Sequence, residues 1–462
     1  MSTCFAEENA QAASIPLIPM RKAELDEWLE GQEPRVRRWV ETNDFHAREG
    51  SRSLIPDAEG NLQAVLFGVT REPDPWLLGG LAARLPNGVY HLESDWPAET
   101  VRLAEIAWGL GSYRYTRYKE PPKRPHAQPQ LKLSGAVEDV QAAVEAISLV
   151  RNLINTPAED MMPQHLAAET AQLAVTYGGQ FNEVVGDELL ALNYPALHAV
   201  GRASSHPPRL IELTWGDPGH RQVTLVGKGV CFDSGGLDIK PASNMRMMKK
   251  DMGGSAHVLG LARWIMDTGL PVRLRVLIGA AENAIGANAF RPGDVLKTRS
   301  GKTVEVDNTD AEGRLAICDA LYAASEDKID LLIDFATLTG AARVALGTEV
   351  PVFFANDEAL ASGLMQASEA VAEPIWRLPL HKPYSTYLKS QVADLVNSAA
   401  TPFGGAITAA LFLQEFVGHK IPWAHFDIMA WNERPRPGRP KGGEAMGLLS
   451  VYEHIRRFLV AD

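Results

Sequence analysis

The segment Asn308-Thr309-Asp310-Ala311-Glu312-Gly313-Arg314-Leu315 sets two carboxylates and a guanidinium at alternate positions. In an extended strand alternate side chains share a face, so Asp310, Glu312 and Arg314 are expected to converge. Three charges on one face, just ahead of an apolar helical stretch, are costly unless counter-charges meet them. Converging carboxylates bind cations. An arginine beside them meets an anion or a developing negative charge. The pattern reads as a metal site that handles a polar substrate.

A second segment supplies more of the same chemistry. Residues 223–240 read VTLVGKGVCFDSGGLDIK. The β-branched run from Val223 to Val226 is typical of a buried strand. It leads into Gly227-Lys228-Gly229, then Asp233-Ser234-Gly235-Gly236, then Lys240. Glycines flank each charge, so the backbone there is expected to be a loop that can come close to a ligand. Lys249-Lys250-Asp251-Met252-Gly253-Gly254 then opens another apolar helix. Other readings fit less well. GKG lacks the GxxxxGK[ST] frame of a phosphate loop. The 308–313 run imitates a calcium loop with Asp319 at the twelfth place, but Lys302 to Val306 reads as a strand where that motif needs a helix. Asp233 or Asp251 alone would read as a helix cap. Their gathering within one glycine-rich stretch is what points to chemistry.

VGKGVCFDSGGLDIKP, KKDMGGSAHVLG, ENAIGANAFRPGDVLKTRSGKTVEVDNTDAEGRL and DFATLTGAARVALG together resemble the leucyl aminopeptidase (cytosol aminopeptidase) family. Arg151 to Pro157 is similar to the segment that opens its catalytic domain, and the likeness runs from about residue 150 to 350. The resemblance implies metal ligands at Lys228, Asp233, Asp251, Asp310 and Glu312, and catalytic residues at Lys240 and Arg314. It implies two divalent ions per subunit (manganese or zinc, with magnesium or cobalt as alternatives), bridged by Asp233 and Glu312, and a bicarbonate held by Arg314 as the base. It also implies that Met248, Asn308, Thr337, Leu338 and Gly340 line the pocket for the first side chain, that Asp251 reads the α-amine, and that the protein is a homohexamer acting on peptides with a free N-terminus.

Elementary chemistry agrees with these roles. Two dications cancel four carboxylates. Lys228 can ligate only as the neutral amine, which an adjacent dication favours. Lys240 is better placed to meet an oxyanion while charged. A water shared by two such ions ionises near neutral pH and is a ready nucleophile. Arg314 is a poor base, having no accessible neutral form. Three positions depart from the family pattern. Arg246 and Lys250 stand where many members carry acidic or aromatic residues, and Asp307 adds a charge before Asn308. If residue 250 is in a strand, its side chain points away from the metals. These changes bear on which first residue is preferred.

The elements that must carry these residues are legible in outline. Strands are expected at 208–214, 222–227, 273–280, 331–336 and 350–354, with helices between them and a helix from Val137 to Leu153. That alternation predicts an α/β fold: a mostly parallel sheet flanked by helices, with its site at the carboxyl ends of the strands. Before it, Gln63 to Val69 reads as a strand and Ala98 to Gly109 as a helix. The proline-rich run at 120–130 reads as a linker. The expected division is a smaller N-terminal α/β domain over 1–135 and a catalytic domain over 136–462.

With 462 residues, 45% of them hydrophobic, the chain can build more than one core. The balance of 45 basic and 57 acidic residues gives −12, which disfavours nucleic acid and anionic membranes. Cys4, Cys231 and Cys318 form no disulfide framework, which suits the cytoplasm. No secretory signal or membrane span is expected. His257 reads as structural, Cys231 as a small buried residue, and the basic run 431–440 as a rim or subunit-contact loop. Two other functions remain open: a DNA-binding or regulatory role, and a different dinuclear hydrolase such as a phosphatase.

Overall fold

The computed structural model describes residues 4–7, 13–70, 74–120, 127–135 and 137–460. Most of the expected linker, 121–126, lies outside the described residues. The chain separates into two compact units, Met1–Ser148 with Arg434–Lys441, and Leu149–Glu433 with Gly442–Asp462.

The first unit holds a sheet of β1 (Ile15–Arg21), β2 (Arg52–Pro56), β3 (Leu62–Val69), β4 (Val89–Leu92) and β5 (Gln130–Leu131), in the order β2-β3-β1-β4-β5. The pairs β1/β3, β1/β4 and β4/β5 are parallel, whereas β2/β3 is antiparallel. The strand read from residue 63 appears as β3, and the helix read from Ala98 runs Ala98–Ser112. In that helix Leu103, Ile106, Ala107 and Leu110 recur at the helical period and are all buried.

The second unit is built on an eight-stranded sheet. In chain order the strands of this unit are β6 (Gln180–Val185), β7 (Arg209–Trp215), β8 (Arg221–Asp233), β9 (Val272–Asn283), β10 (Val295–Lys297), β11 (Thr303–Glu305), β12 (Leu331–Ala336), β13 (Val352–Ala355), β14 (Trp376–Arg377), β15 (Leu395–Val396) and β16 (Trp423–Asp427), with β17 (Trp431–Asn432) and β18 (Gly442–Gly443) paired as a short ribbon. The main sheet has the order β14-β13-β16-β12-β8-β9-β7-β6; β10, β11 and β15 form a small sheet of their own. Its centre, β16-β12-β8-β9, is parallel throughout. Antiparallel pairs β13/β16, β7/β9 and β6/β7 extend it on either side.

Two helices sandwich the centre. The position of a Cβ on Gly227 would lie 2.7 Å from Val258 of helix Gly253–Asp267. Its neighbour Val226 joins the buried cluster of Leu315, Ala316 and Cys318 from helix Gly313–Ser325. Adjacent strand residues face opposite sides, so the helices cover opposite faces. Burial on both faces explains why these strands read as unbroken apolar runs.

Candidate metal centre

All four central strands deliver site residues at or near their carboxyl ends. Lys228 and Asp233 come from β8, Asn283 ends β9, Thr337 follows β12, and Asp427 ends β16. Lys228 shares the face of Val226 and points under helix Gly313–Ser325. Lys228, Asp251 and Glu312 are 2%, 3% and 1% exposed, so their charges must be met from within the protein.

The Lys228 ammonium lies 2.7 Å from Asp251 Oδ2 and 3.0 Å from Glu312 Oε1, and donates to the carbonyl of Thr337 at 3.0 Å. Thr337 Oγ1 in turn donates to Asp251 Oδ1 at 2.7 Å. A second group forms around Lys240, whose Nζ lies 2.8 Å from Asp233 Oδ2 and 2.5 Å from Asp310 Oδ1. Gly235 and Gly236, at φ +88° and +65°, turn the chain so that Lys240 returns onto Asp233. One oxygen from each of Asp233, Asp310 and Glu312 lies within 4.8 Å of the others, and this joins the two groups.

The cluster holds more negative charge than its two lysines offset. Burial, then the neighbouring Asp233, push the Glu312 carboxyl well above its ordinary range and raise Asp310 as well. Burial opposes charge on Lys228, but Asp251, Glu312 and Asp233 outweigh it and hold the ammonium protonated. Asp251 Oδ2, Asp310 Oδ1 and Glu312 Oε1 are buried and accept no well-directed hydrogen bond, although a lysine stands near each. Carboxylate oxygens that converge without donors are what a hard cation needs.

Arg314 sits in the first turn of helix Gly313–Ser325, with Nη1 donating to the carbonyl of Asn397 at 2.5 Å. Its buried Nε has no acceptor. Burial lowers the guanidinium to about 10, against the pull of Glu312 and Asp427.

Three local expectations are corrected. Gly227-Lys228-Gly229 is not a loop but lies within β8, paired with β9, and the strand expected to end at 227 runs to Asp233. Residues 308–312 form a turn, not a strand, and Gly313 begins the helix. Asp310 and Glu312 reach the cluster because the turn redirects them, while Arg314, in the first helical turn, reaches the carbonyl of Asn397. Lys250 is not in a strand either: Met248–Lys250 is a 3-10 turn, and Lys250 is only 4% exposed.

A scan against family models matches residues 148–451 to "Cytosol aminopeptidase family, catalytic domain" and residues 15–131 to "M17 aminopeptidase, N-terminal domain". The chain belongs to the cytosol aminopeptidase family. It is therefore a metal-dependent aminopeptidase, a hydrolase of peptides. It is 49% identical to the cytosol aminopeptidase of Coxiella burnetii, whose crystal structure superposes with a TM-score of 0.95 over 99% of both chains. A probable cytosol aminopeptidase of Roseiflexus castenholzii is 42% identical over 382 residues, 79% of this chain and 78% of the relative. The bottromycin maturation enzyme BotP in complex with Mn is 35% identical, with a TM-score of 0.87 over 97% of this chain and 100% of that one.

The pocket residues implied by the resemblance lie around the cluster. Met248 opens the 3-10 turn before Asp251. Asn308 Oδ1 accepts from the amide of Asp310 at 2.8 Å. Leu338 and Gly340 follow Thr337 into helix Gly340–Leu346. His257 is structural: Nδ1 lies 2.6 Å from the carbonyl of Gly253, and Nε2 accepts from the amide of Met446 at 2.8 Å. Cys231 is buried, which pushes its thiol well up.

Sequence reasoning missed three supporting residues. Asn283 Nδ2 donates to Asp233 Oδ1 at 2.8 Å and to the carbonyl of Thr309 at 3.1 Å. Asn397 Oδ1 accepts from the amides of Asp307 and Asn308, while its Nδ2 reaches the carbonyls of Asn308 and Ala311. Asp427 accepts from the amides of Leu338 and Thr339 and from Thr339 Oγ1. Asn283 lies in the ENAIG stretch and Asp427 in the WAHFDI stretch, both of which fit the family resemblance; Asn397 carries no local signal.

Proposed function

We propose that Asp233, Asp251, Asp310 and Glu312, with Lys228, hold two divalent ions. The observation that carries this reading is the convergence of one oxygen from each of Asp233, Asp310 and Glu312 within 4.8 Å, with Asp251 Oδ2, Asp310 Oδ1 and Glu312 Oε1 buried and accepting no directed hydrogen bond. Bound there, such ions supply Lewis acidity and lower the pKa of water. An oxygen-rich donor set with one amine suits manganese or zinc, and accepts magnesium or cobalt; the similar enzyme BotP forms a complex with Mn. Lys228 fits as the amine ligand once a dication replaces the protons that its carboxylate neighbours now favour.

The remaining roles belong to the chain's own groups. Lys240 is kept charged by Asp233 and Asp310 and is placed to donate to an oxyanion on the scissile carbonyl. Asp251 offers a carboxylate to the substrate's α-amine. Met248, Asn308, Thr337, Leu338 and Gly340 wall the first side chain. Arg314 would hold a bicarbonate that supplies the base, and its unpaired Nε–H is a free donor for that anion. The substrate is a peptide with a free N-terminus, and the working form is a homohexamer, placed in the cytoplasm in keeping with the relatives' name, cytosol aminopeptidase. Among the described residues no helix is long and apolar enough to cross a membrane.

Manganese-soaked crystals scanned for anomalous signal test the ligand set. Wild-type chain should carry two sites and Asp310→Ala at most one; two full sites in the variant would contradict it. Hydrolysis of leucine p-nitroanilide should fall in degassed, bicarbonate-free buffer and recover on adding bicarbonate; indifference to bicarbonate removes that role from Arg314.

A further inference from the structure

The Lys250 side chain makes no hydrogen bond or ion pair with any described residue, its backbone amide donating to the carbonyl of Met247, yet the residue is only 4% exposed. It lies within electrostatic reach of Asp251, Arg343, Lys228 and Asp427. Neither carboxylate forms an ion pair with it. Asp251 is engaged by Lys228 and Thr337. Asp427 is engaged by Leu338 and by both the amide and the hydroxyl of Thr339.

Arg343 lies half-buried in helix Gly340–Leu346. Its Nη1 lies 3.4 Å from Met429 Sδ, and its Nη2 lies 3.3 Å from where a Cβ on Gly340 would stand. No carboxylate among the described residues pairs with it. Together with Thr339, Asp427, Met429 and Met446 it lines a small cavity beside the loop that follows β12. That loop holds Lys228 through Thr337. Two cations without partners thus sit next to the cluster, one on the turn before Asp251 and one in the helix after Thr337. A buried cation without a counter-charge is costly, and an anionic ligand offsets that cost.

We infer that Lys250 and Arg343 select an acidic first residue, so that the enzyme releases N-terminal glutamate, and aspartate less well, from peptides. The inference rests on the aminopeptidase reading of the cluster, which puts the first residue's α-amine at Asp251. Met248, at the start of the same turn, and Leu338 supply apolar surface for the methylenes of glutamate. The carboxylate then reaches the cations beyond them. Aspartate, one methylene shorter, reaches less far. A leucyl side chain would leave both cations unmet.

The test compares kcat/KM for glutamyl and leucyl p-nitroanilide on the manganese-loaded full-length enzyme. The glutamyl substrate should be favoured. The glutamyl-to-leucyl ratio should fall on the order of ten- to a hundredfold in Lys250→Met and in Arg343→Met, as expected for loss of a charge-assisted hydrogen bond. Lys250→Arg should keep most of the preference. Free glutamate should inhibit the wild type more strongly than free leucine, and Lys250→Met should erase that difference. If Lys250→Met does not fold, Arg343→Met, altered at a partly exposed position, carries the test. A wild type that favours leucine, or a ratio that neither methionine variant moves, overturns the inference. A wild type that cleaves no unblocked aminoacyl anilide overturns the aminopeptidase reading beneath it.

Discussion

Gly313→Ala separates the metal centre from the fold. Gly313 begins the helix that carries Arg314, and a Cβ there would stand 2.4 Å from Lys228 Cε, 2.5 Å from Nζ and 2.9 Å from Cδ. Ordinary carbon contacts begin near ~3.4 Å, so the lysine tip must retreat by about 1 Å. It is the far end of a flexible side chain, so it can move. It then loses its geometry to Asp251 Oδ2 (2.7 Å), Glu312 Oε1 (3.0 Å) and the Thr337 carbonyl (3.0 Å). Overpacking costs about 1–3 kcal/mol, and alanine regains up to about 1 kcal/mol over glycine in a helix. The net loss of stability is therefore small, while a displacement of about 1 Å at a reacting centre costs on the order of a hundredfold in rate. The expected protein is folded by circular dichroism, binds manganese more weakly by calorimetry, and hydrolyses leucine p-nitroanilide about a hundredfold less efficiently. Wild-type metal affinity and kcat/KM in a folded variant would refute the reasoning. Gly254→Ala is the contrast. Its Cβ would stand 2.0 Å from the carbonyl oxygen of Phe335 and 2.8 Å from the amide of Lys228, and backbone cannot rotate away, so this variant is expected not to fold.

Asp427→Ala removes three hydrogen bonds that fix residues 338 and 339, and so loosens the Thr337 carbonyl under Lys228; manganese affinity should fall at least tenfold by calorimetry, with Asp427→Asn intermediate. Burial lowers His257 to about 4 from 6.5. The unfolded chain therefore binds the extra proton between those values, so stability is full above pH 6.5 and is lost as pH falls toward 4, by about 3 kcal/mol in the limit. Denaturant melts from pH 7 to 4.5 should show this slope, and it should flatten in His257→Gln. A slope unchanged in that variant would assign the acid sensitivity to other groups.

Local pattern found five of the eight strands of the main sheet and missed β6, β14 and the central β16. The run 331–336 reads as a strand from its composition alone and is β12 to the residue, and the helix read from Val137 to Leu153 runs two residues further, to Asn155. Apolar runs of this kind are readable because each residue's burial follows from its own type. The sequence also named the charged residues, because such a density of lysine, aspartate and glutamate among glycines has few structural uses. It did not show how they meet. Asp310 and Glu312 converge through a turn, while Arg314 starts a helix and turns to Asn397, and a strand period was the wrong guide. Lys250 turned inward because a 3-10 turn buries it beside Asp251.

What decided those points is contact between residues far apart in the chain. Lys228 meets Thr337 across 109 positions, Arg314 meets Asn397 across 83, and Asp427 holds Thr339 across 88. Residue type and spacing determined which groups could bind a cation and which runs would be strands, since both depend on neighbours along the chain. The pairing of each lysine with its carboxylates, and the stranding of Lys250 and Arg343 without partners, depended on four strands ending side by side, and that arrangement exists only once the sheet has closed.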